Sequence, residues 1–176
     1  MFNLFKKKKS DVQKAKDDFS KRMEAFHNRP IYKKLTKEII DSTPDDSLEQ
    51  LIFDNLSQIV GASDKEELEA VSELSVGQRA HYSVWCVEAE VNNGGFYQFY
   101  QNSSGILGSM AIEGFKTFGA YKFATLVEKA DSLKARFEAG EESLPDLDKE
   151  FYALYKEENL NKLRIAYTRA HISEFI

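Results

Sequence analysis

One short stretch, VNNGGFYQFYQNSSG at residues 91–105, constrains the fold more than any other feature of the sequence. It holds three of the nine glycines, follows a helical run at 79–91 and contains a cluster of aromatic residues at 96–100. Asn and Gly tolerate positive φ, which helix C-termini commonly require. We therefore predict a sharp corner between two helices, with the following aromatic face packed beside Trp85. The residues that build this predicted corner are Asn92, Asn93, Gly94, Gly95, Phe96, Tyr97, Phe99 and Tyr100.

The rest of the chain has the periodicity of helices, because apolar residues recur at spacings of three and four and no strand-like alternation is sustained. The predicted helices cover 11–26, 30–40, 44–60, 64–74, 76–91, 96–102, 106–118, 120–137, 146–159 and 160–175. The predicted N-caps are Ser10, Thr43, Ser63 and Ser75, the last two in capping boxes with Glu66 and Gln78. We expect an all-α protein: a single compact multi-helix domain at 11–176 with a basic, flexible N-terminal arm at 1–10.

Charge is strongly segregated along the chain, although the net charge is only −5. Residues 1–37 hold 12 Lys and Arg against 4 Asp and Glu, whereas residues 38–73 hold 11 acids and the single base Lys65. An acidic surface repels nucleic acid and favours basic partners, although ordinary solvated surface remains the alternative. The carboxylates predicted to form a partner-binding strip are Asp45, Asp46, Glu49, Asp54, Glu66, Glu67, Glu69 and Glu73.

The start of the chain, MFNLFKKKKS, places three apolar residues ahead of four lysines. Basic clusters are attracted to anionic lipid, but three apolar side chains make a weak anchor. We therefore expect a solvated start without membrane contact. Cys86 is the one cysteine, and the sequence has neither a signal peptide nor an apolar run of the roughly 18 residues that a spanning helix needs. These features predict a cytoplasmic protein.

Catalytic chemistry finds little support in the sequence. His81 and Glu88 are separated by about 10.5 Å of helical rise, too far to bind one metal, and Cys86 lies about 140° around the helix from His81. The corner contains no nucleophile or general base, and it lacks the spacing of a phosphate-binding loop. We expect no catalytic residue, metal or cofactor. The alternative is a small enzyme or ligand-binding domain whose pocket uses the amides at 92–102; those amides could equally tie two helix ends together.

Four segments together resemble a bacterial family named after DNA mimic protein nineteen: QR at 78–79, EVNNGGFYQFYQN at 90–102, GA at 119–120 and LDKEFY at 147–152. The resemblance covers about residues 45–175. It implies an all-helical fold and, for the member that gave the name, an acidic surface that imitates DNA towards a DNA-binding regulator of transcription. The expected partner is then a basic protein of that kind, with no nucleic acid bound by the acidic body, and homodimer formation is left open. The family motif includes Glu90, Asn92, Asn93, Gly94, Gly95, Phe96, Gln98 and Asn102.

Overall fold

The computed structural model describes residues 2–63, 65–141 and 146–176, with the backbone alone for residues 2–12 and 22. The chain divides into two compact units, Met1–Ile31 and Tyr32–Ile176. Helices form both units, and no strand occurs within the described ranges, so the all-α prediction is confirmed. None of the described helices combines the length and the apolar character needed to cross a membrane.

The first unit is built on one long helix, α1, at Phe2–His27. The helix predicted from residue 11 therefore begins at Phe2, and Ser10 lies inside it instead of capping it. Lysine is a good helix former, so the lysine run continues the helix instead of ending it. Whether residues 1–10 move independently in solution stays a prediction.

The second unit contains the remaining nine described α-helices and two short 3-10 helices. The α-helices are α2 Lys37–Ser42, α3 Asp45–Gly61, α4 Glu67–Ser72, α5 Val76–Gln101, α6 Gly108–Thr117, α7 Tyr121–Asp131, α8 Lys134–Glu138, α9 Leu147–Glu157 and α10 Leu160–Ala170; the 3-10 helices are Ser103–Leu107 and Ile172–Glu174. The run predicted as one helix at 120–137 is thus divided at Ser132 and Leu133 into α7 and α8.

Helix α5 is the centre of the second unit, where it contacts α3, α4, α6, α8, α9 and α10. It can do so because it is apolar on two faces. Ala80, Val84, Val87 and Val91 recur at spacings of four and three and belong to a core shared with α6, α7 and α9. Another face contributes to a second core with α3 and α4 through Tyr82 and Cys86.

The corner aromatics pack into the first core. Phe96 contacts Phe151 of α9 with ring centroids 5.7 Å apart, and Tyr100 stacks on Phe137 of α8 at 5.2 Å. Trp85 instead stacks on Phe53 of α3 and belongs with the second core. The predicted packing of the corner aromatics beside Trp85 is therefore wrong, because α8 and α9 supply the surface that covers them.

Several helix starts differ from the predicted ones. Residues 30–36 are not helical, and α2 begins after Thr36, whose side chain accepts from the Ile39 N–H. Thr43 does not cap α3; its hydroxyl donates to the Ile39 carbonyl at 2.7 Å and closes α2. Ser63 accepts from the Lys65 N–H, and α4 begins only at Glu67. Thr43 and Ser63 lie near the start of a helix, as predicted. The first helical residue differs from the predicted one because the hydroxyl groups make other local hydrogen bonds.

Two local predictions are confirmed. The Ser75 and Gln78 capping box is present in both directions at the start of α5. Gly119 follows α6 with a φ of 78°, as expected for a glycine that ends a helix.

Candidate functional site

Helix α5 turns at the predicted glycines. Gly94 has φ −157° and ψ 22°, and Gly95 has φ 77° and ψ −179°. The Gly95 conformation lies in a region that only glycine occupies without strain. A Cβ atom at Gly95 would also stand 2.8 Å from the Cγ atom of Asp148, well inside van der Waals contact. Both the backbone conformation and the close approach of α9 therefore require glycine here.

Two side chains of α9 complete the hydrogen bonding of this corner. The Phe96 N–H donates to Asp148 Oδ1 at 2.9 Å, and the Tyr152 hydroxyl donates to the Val91 carbonyl at 2.7 Å. A break in a helix leaves N–H and C=O groups without intrahelical partners, and α9 supplies partners for one of each. The late LDKEFY segment and the glycine corner are thus parts of one structural unit.

Glu90 accepts hydrogen bonds from three polar side chains that follow the corner in the sequence. Its carboxylate accepts from Gln98 Nε2 at 2.6 Å, from Asn102 Nδ2 at 2.8 Å and from the Ser104 hydroxyl at 3.3 Å. Gln101 donates to the Phe137 carbonyl at 2.6 Å. Gln98, Gln101 and Asn102 therefore bind groups of the protein itself, and the bond from Gln98 to Glu90 joins the two arms of α5. Asn92 and Asn93 are exposed.

A buried ion cluster joins α3, α5 and α10. Arg164 is only 1% exposed and pairs with Glu49 at 2.5 Å and with Glu88. Glu88 also accepts from the Tyr155 hydroxyl at 2.8 Å. Burial raises the pKa of Glu49 and outweighs the opposing attraction of Arg164. Glu49, which the sequence assigns to a partner-binding strip, is thus half-buried and engaged by Arg164.

His81 and Cys86 are both buried. His81 Nε2 lies 2.8 Å from the Thr168 hydroxyl, and burial together with the charge of Arg164 holds the His81 pKa well below its usual value. Burial raises the pKa of the Cys86 thiol to about 12, so the thiol stays protonated at neutral pH. Neither residue has the environment of an activated base or nucleophile. No group of three or more metal-ligating side chains comes together within residues 2–63, 65–141 and 146–176.

The acidic residues of α3, of α4 and of the two residues that flank α4, Glu66 and Glu73, divide by exposure. Asp45, Asp46, Glu66, Glu69 and Glu73 are exposed, whereas Glu49, Asp54 and Glu67 are half-buried. The two helices lie against each other and against α5. Tyr82 of α5 connects them, because its ring stacks on Phe53 at 5.9 Å and its hydroxyl donates to Glu67 at 2.8 Å.

The same residues also differ in their partners. Asp45 pairs with Arg169 at 2.7 Å, and Lys65 bridges Glu69 at 3.3 Å and Glu73. Asp54 accepts from the Gln50 amide at 2.8 Å. Asp46 and Glu66 have no cation partner in the described part of the chain. These last two are the carboxylates most available to an external cation.

Three carboxylates bind backbone N–H groups of segments that are distant in sequence, and the sequence did not predict them. Besides Asp148, Glu158 accepts from the Lys122 and Phe123 N–H groups at 3.2 Å, where α7 begins. Glu174 accepts from the Gly77 N–H at 2.5 Å, where α5 begins. Carboxylates at helix N-termini are favourable, but these partners are separated by 35 to 97 residues, so no local spacing identifies them.

These contacts define an all-α module in which carboxylates and a glycine pair hold a bent central helix. A family model described as DMP19-like protein matches residues 72–171, and the chain belongs to this family. No curated protein and no solved structure matches the chain. The matched region includes α5 to α10 and the corner, and it starts later than residue 45, where the resemblance was expected to begin. Of the eight predicted strip residues, only Glu73 lies within it.

Proposed function

We propose that this protein is a non-catalytic acidic binding module, and that the exposed carboxylates of α3 and α4 occupy the DNA-binding surface of a basic transcriptional regulator. Membership of the DMP19-like family is consistent with such a role. The proposed binding surface consists of Asp46, Glu66, Glu69 and Glu73, which we call the outer acidic surface.

The observation that carries this proposal is the different use of polar groups in the two regions. At the corner, Glu90 and Asp148 accept hydrogen bonds from the protein's own amide and backbone groups. Of the amides invoked for a ligand pocket, Gln98 and Asn102 are engaged in these bonds and Gln101 donates to the Phe137 carbonyl, which weakens the ligand-binding alternative. On α3 and α4, by contrast, exposed carboxylates outnumber the one local lysine, Lys65. The outer acidic surface therefore carries more negative charge than its one lysine balances, with Asp46 and Glu66 outside the Lys65 bridge.

The spacing of these charges suits a protein that reads phosphates. Successive phosphates advance about 3.4 Å per strand, and helix positions three or four apart stand about 5 to 6 Å apart. Like charges held this close repel one another, typically by a few tenths of a kcal/mol per pair. A partner rich in Lys and Arg would remove that repulsion, so binding should weaken steeply as salt concentration rises.

The experiment uses the full chain as immobilised bait in a lysate of its native cells. A protein that is retained and that binds DNA by itself is purified and loaded with labelled DNA. Adding the wild-type chain should release the DNA, since both ligands would occupy one basic surface. A regulator that holds this protein and its DNA together, without mutual weakening, would exclude mimicry.

Two double variants test the location of the surface at equal change of charge. Asp46→Lys with Glu66→Lys should weaken binding at least about tenfold, because both carboxylates are exposed and lack a cation partner among the described residues. Glu113→Lys with Glu138→Lys should bind nearly as well as wild type, because these exposed acids lie on α6 and α8. Equal loss in the two double variants would mean that general acidity, and not this surface, attracts the partner.

A third variant should improve binding. Lys65 bridges Glu69 and Glu73, so Lys65→Gln frees two carboxylates and removes the one positive charge in the acidic segment. We expect about two- to fivefold tighter binding at low salt, a gain that disappears as salt rises. Unchanged or weaker binding of Lys65→Gln would place the contact elsewhere.

A further inference from the structure

Helix α1 exposes a row of large apolar side chains. Phe19 is 65% exposed, Met23 39% and Phe26 45%. These residues recur at spacings of four and three, so they lie on one face of the helix. Single exposed apolar residues are ordinary, but a contiguous row on one helix face indicates an interaction surface.

The sequence continues this pattern along the whole helix. Apolar residues recur every seven positions at Phe5, Val12, Phe19 and Phe26, with Ala15 and Met23 between them. Since α1 is helical from Phe2 to His27, these positions fall along one side of it. The prediction of a weak anchor was based only on the three apolar residues before the lysines. In the structure, Phe19, Met23 and Phe26 are further exposed apolar residues of the same helix.

The charge of this region is opposite to that of the rest of the chain. Residues 1–37 hold 12 Lys and Arg against 4 Asp and Glu, with four consecutive lysines at 6–9. Lys16 borders a shallow depression of α1 together with Ala15, Phe19 and Ser20, so a cation lies at the edge of the apolar row. A lysine in this position can place its stem among apolar groups and its ammonium group beside phosphates.

A second copy of α1 fits this pattern poorly. In a coiled coil with Phe5, Val12, Phe19 and Phe26 at one core position of the heptad, the other core position would hold either Lys8, Ala15 and Arg22 or Phe2, Lys9, Lys16 and Met23. Both registers place two cations in the core, which is unfavourable in a protein interface. At a lipid surface the same cations can reach the headgroups.

We propose that α1 binds along the surface of an anionic membrane, with the row Ala15, Phe19, Met23 and Phe26 in the interface and the lysines on the lipid phosphates. Binding of such helices depends on buried apolar area and on attraction to anionic lipid together. The acidic body, with its 11 acids at 38–73, is repelled by the same membrane, so the attraction must come from α1. The helix would attach the binding module to a membrane face.

The test measures flotation of the full chain with vesicles of phosphatidylcholine alone and with vesicles containing about one third phosphatidylglycerol. We expect at least about tenfold more binding to the anionic vesicles, and release by high salt. Replacing Lys6, Lys7, Lys8 and Lys9 by Gln should reduce binding by roughly fivefold per lysine until it is lost. Absence of binding to anionic vesicles overturns the proposal.

A matched pair of variants tests the apolar row. Phe19→Gln and Phe26→Gln should each lower binding about tenfold, because each removes a large apolar group from the interface. Ala25→Gln places the same side chain at an exposed position on another face of α1 and should bind like wild type. Circular dichroism checks that helix content is equal. Equal binding by Phe19→Gln and Ala25→Gln overturns the proposal, as does a soluble dimer that Phe19→Gln converts to monomer.

Discussion

The glycine corner of α5 and the outer acidic surface are both rich in carboxylates, yet the two regions use them in opposite ways. At the corner, Glu90 and Asp148 accept from donors of the same chain, and Asp148 connects segments that are 52 residues apart in sequence. On α3 and α4, Asp46 and Glu66 are exposed without a cation partner among the described residues. Net charge therefore does not reveal which acids hold the fold and which are available for binding; the positions of the donors do.

Glu49 illustrates this difference, because its charge alone assigned it to the partner-binding strip. The sequence groups it with Asp45 and Asp46, whereas the fold places it against Arg164. It therefore belongs with Glu88, the other carboxylate that Arg164 binds. Four predictions test which groups hold the fold, in order of decreasing expected effect.

The largest loss of stability is expected for Arg164→Met. Removing the guanidinium leaves Glu49 and Glu88 close together without their shared cation, and breaking a buried pair in this way costs about 3 to 5 kcal/mol. Glu49→Gln is the control, since Arg164 keeps Glu88 and the loss should stay below about 1 kcal/mol. Urea unfolding measures both. A loss below about 1 kcal/mol for Arg164→Met would mean that the cluster contributes little.

The next effect concerns the backbone of the corner. Gly95→Ala should cost about 2 to 4 kcal/mol, because φ of 77° with ψ of −179° strains any other residue and the new methyl group meets Asp148. Gly119 also has positive φ but nothing within 4 Å of an added Cβ atom, so Gly119→Ala should cost less, about 1 kcal/mol. Chemical denaturation measures the free energy of unfolding of both variants. Equal losses would remove the clash with Asp148 from the explanation.

A smaller loss is expected at Glu90. Glu90→Ala leaves Gln98, Asn102 and Ser104 without their common acceptor and should cost about 1 to 3 kcal/mol. Glu90→Gln retains one acceptor oxygen and should recover part of that loss. Thermal unfolding gives the order of the three proteins. If Glu90→Ala were as stable as wild type, the carboxylate would not be holding the corner.

The smallest effect is a dependence of stability on pH. Because burial holds the pKa of His81 well below 6.5, the unfolded chain takes up a proton there that the folded protein does not. The free energy of unfolding should therefore fall as pH decreases below about 6.5, by at most about 1.4 kcal/mol per pH unit. His81→Gln retains the other titrating groups and should lose this slope between about pH 6.5 and 5.5. An unchanged slope would assign the effect to other groups.

Local signals in the sequence predicted part of the local structure, since Ser75 is confirmed as an N-cap whereas Ser10, Thr43 and Ser63 do not cap the helices assigned to them. The Ser75 and Gln78 capping box and the Gly94 and Gly95 corner depend on groups within a few residues, so spacing alone could locate them. The helical class followed from periodicity. The first residues of α2 and α4 were missed, because Thr36 caps α2 and the Ser63 hydroxyl accepts from the Lys65 N–H instead of capping α4.

Long-range contacts could not be predicted in the same way. Asp148 binds the Phe96 N–H across 52 residues, and Glu174 binds the Gly77 N–H across 97. The place of Trp85 beside Phe53 depended on the packing of α3, which no motif encodes. For the same reason, the sequence located the acidic segment but could not show that Glu49 pairs with Arg164 while Asp46 is exposed.

The most direct test of this division compares three proteins in one titration: wild type, the double variant Asp46→Lys with Glu66→Lys, and Glu90→Gln. Each is added to the captured regulator bound to labelled DNA, and DNA release is measured beside the melting temperature. We predict that Glu90→Gln melts lower yet releases DNA like wild type. The double variant should stay folded, with a small loss of melting temperature because its lysines lie at the N-termini of α3 and α4, and should release little DNA. Full release by the double variant, or failure of folded Glu90→Gln to release DNA, would contradict the account.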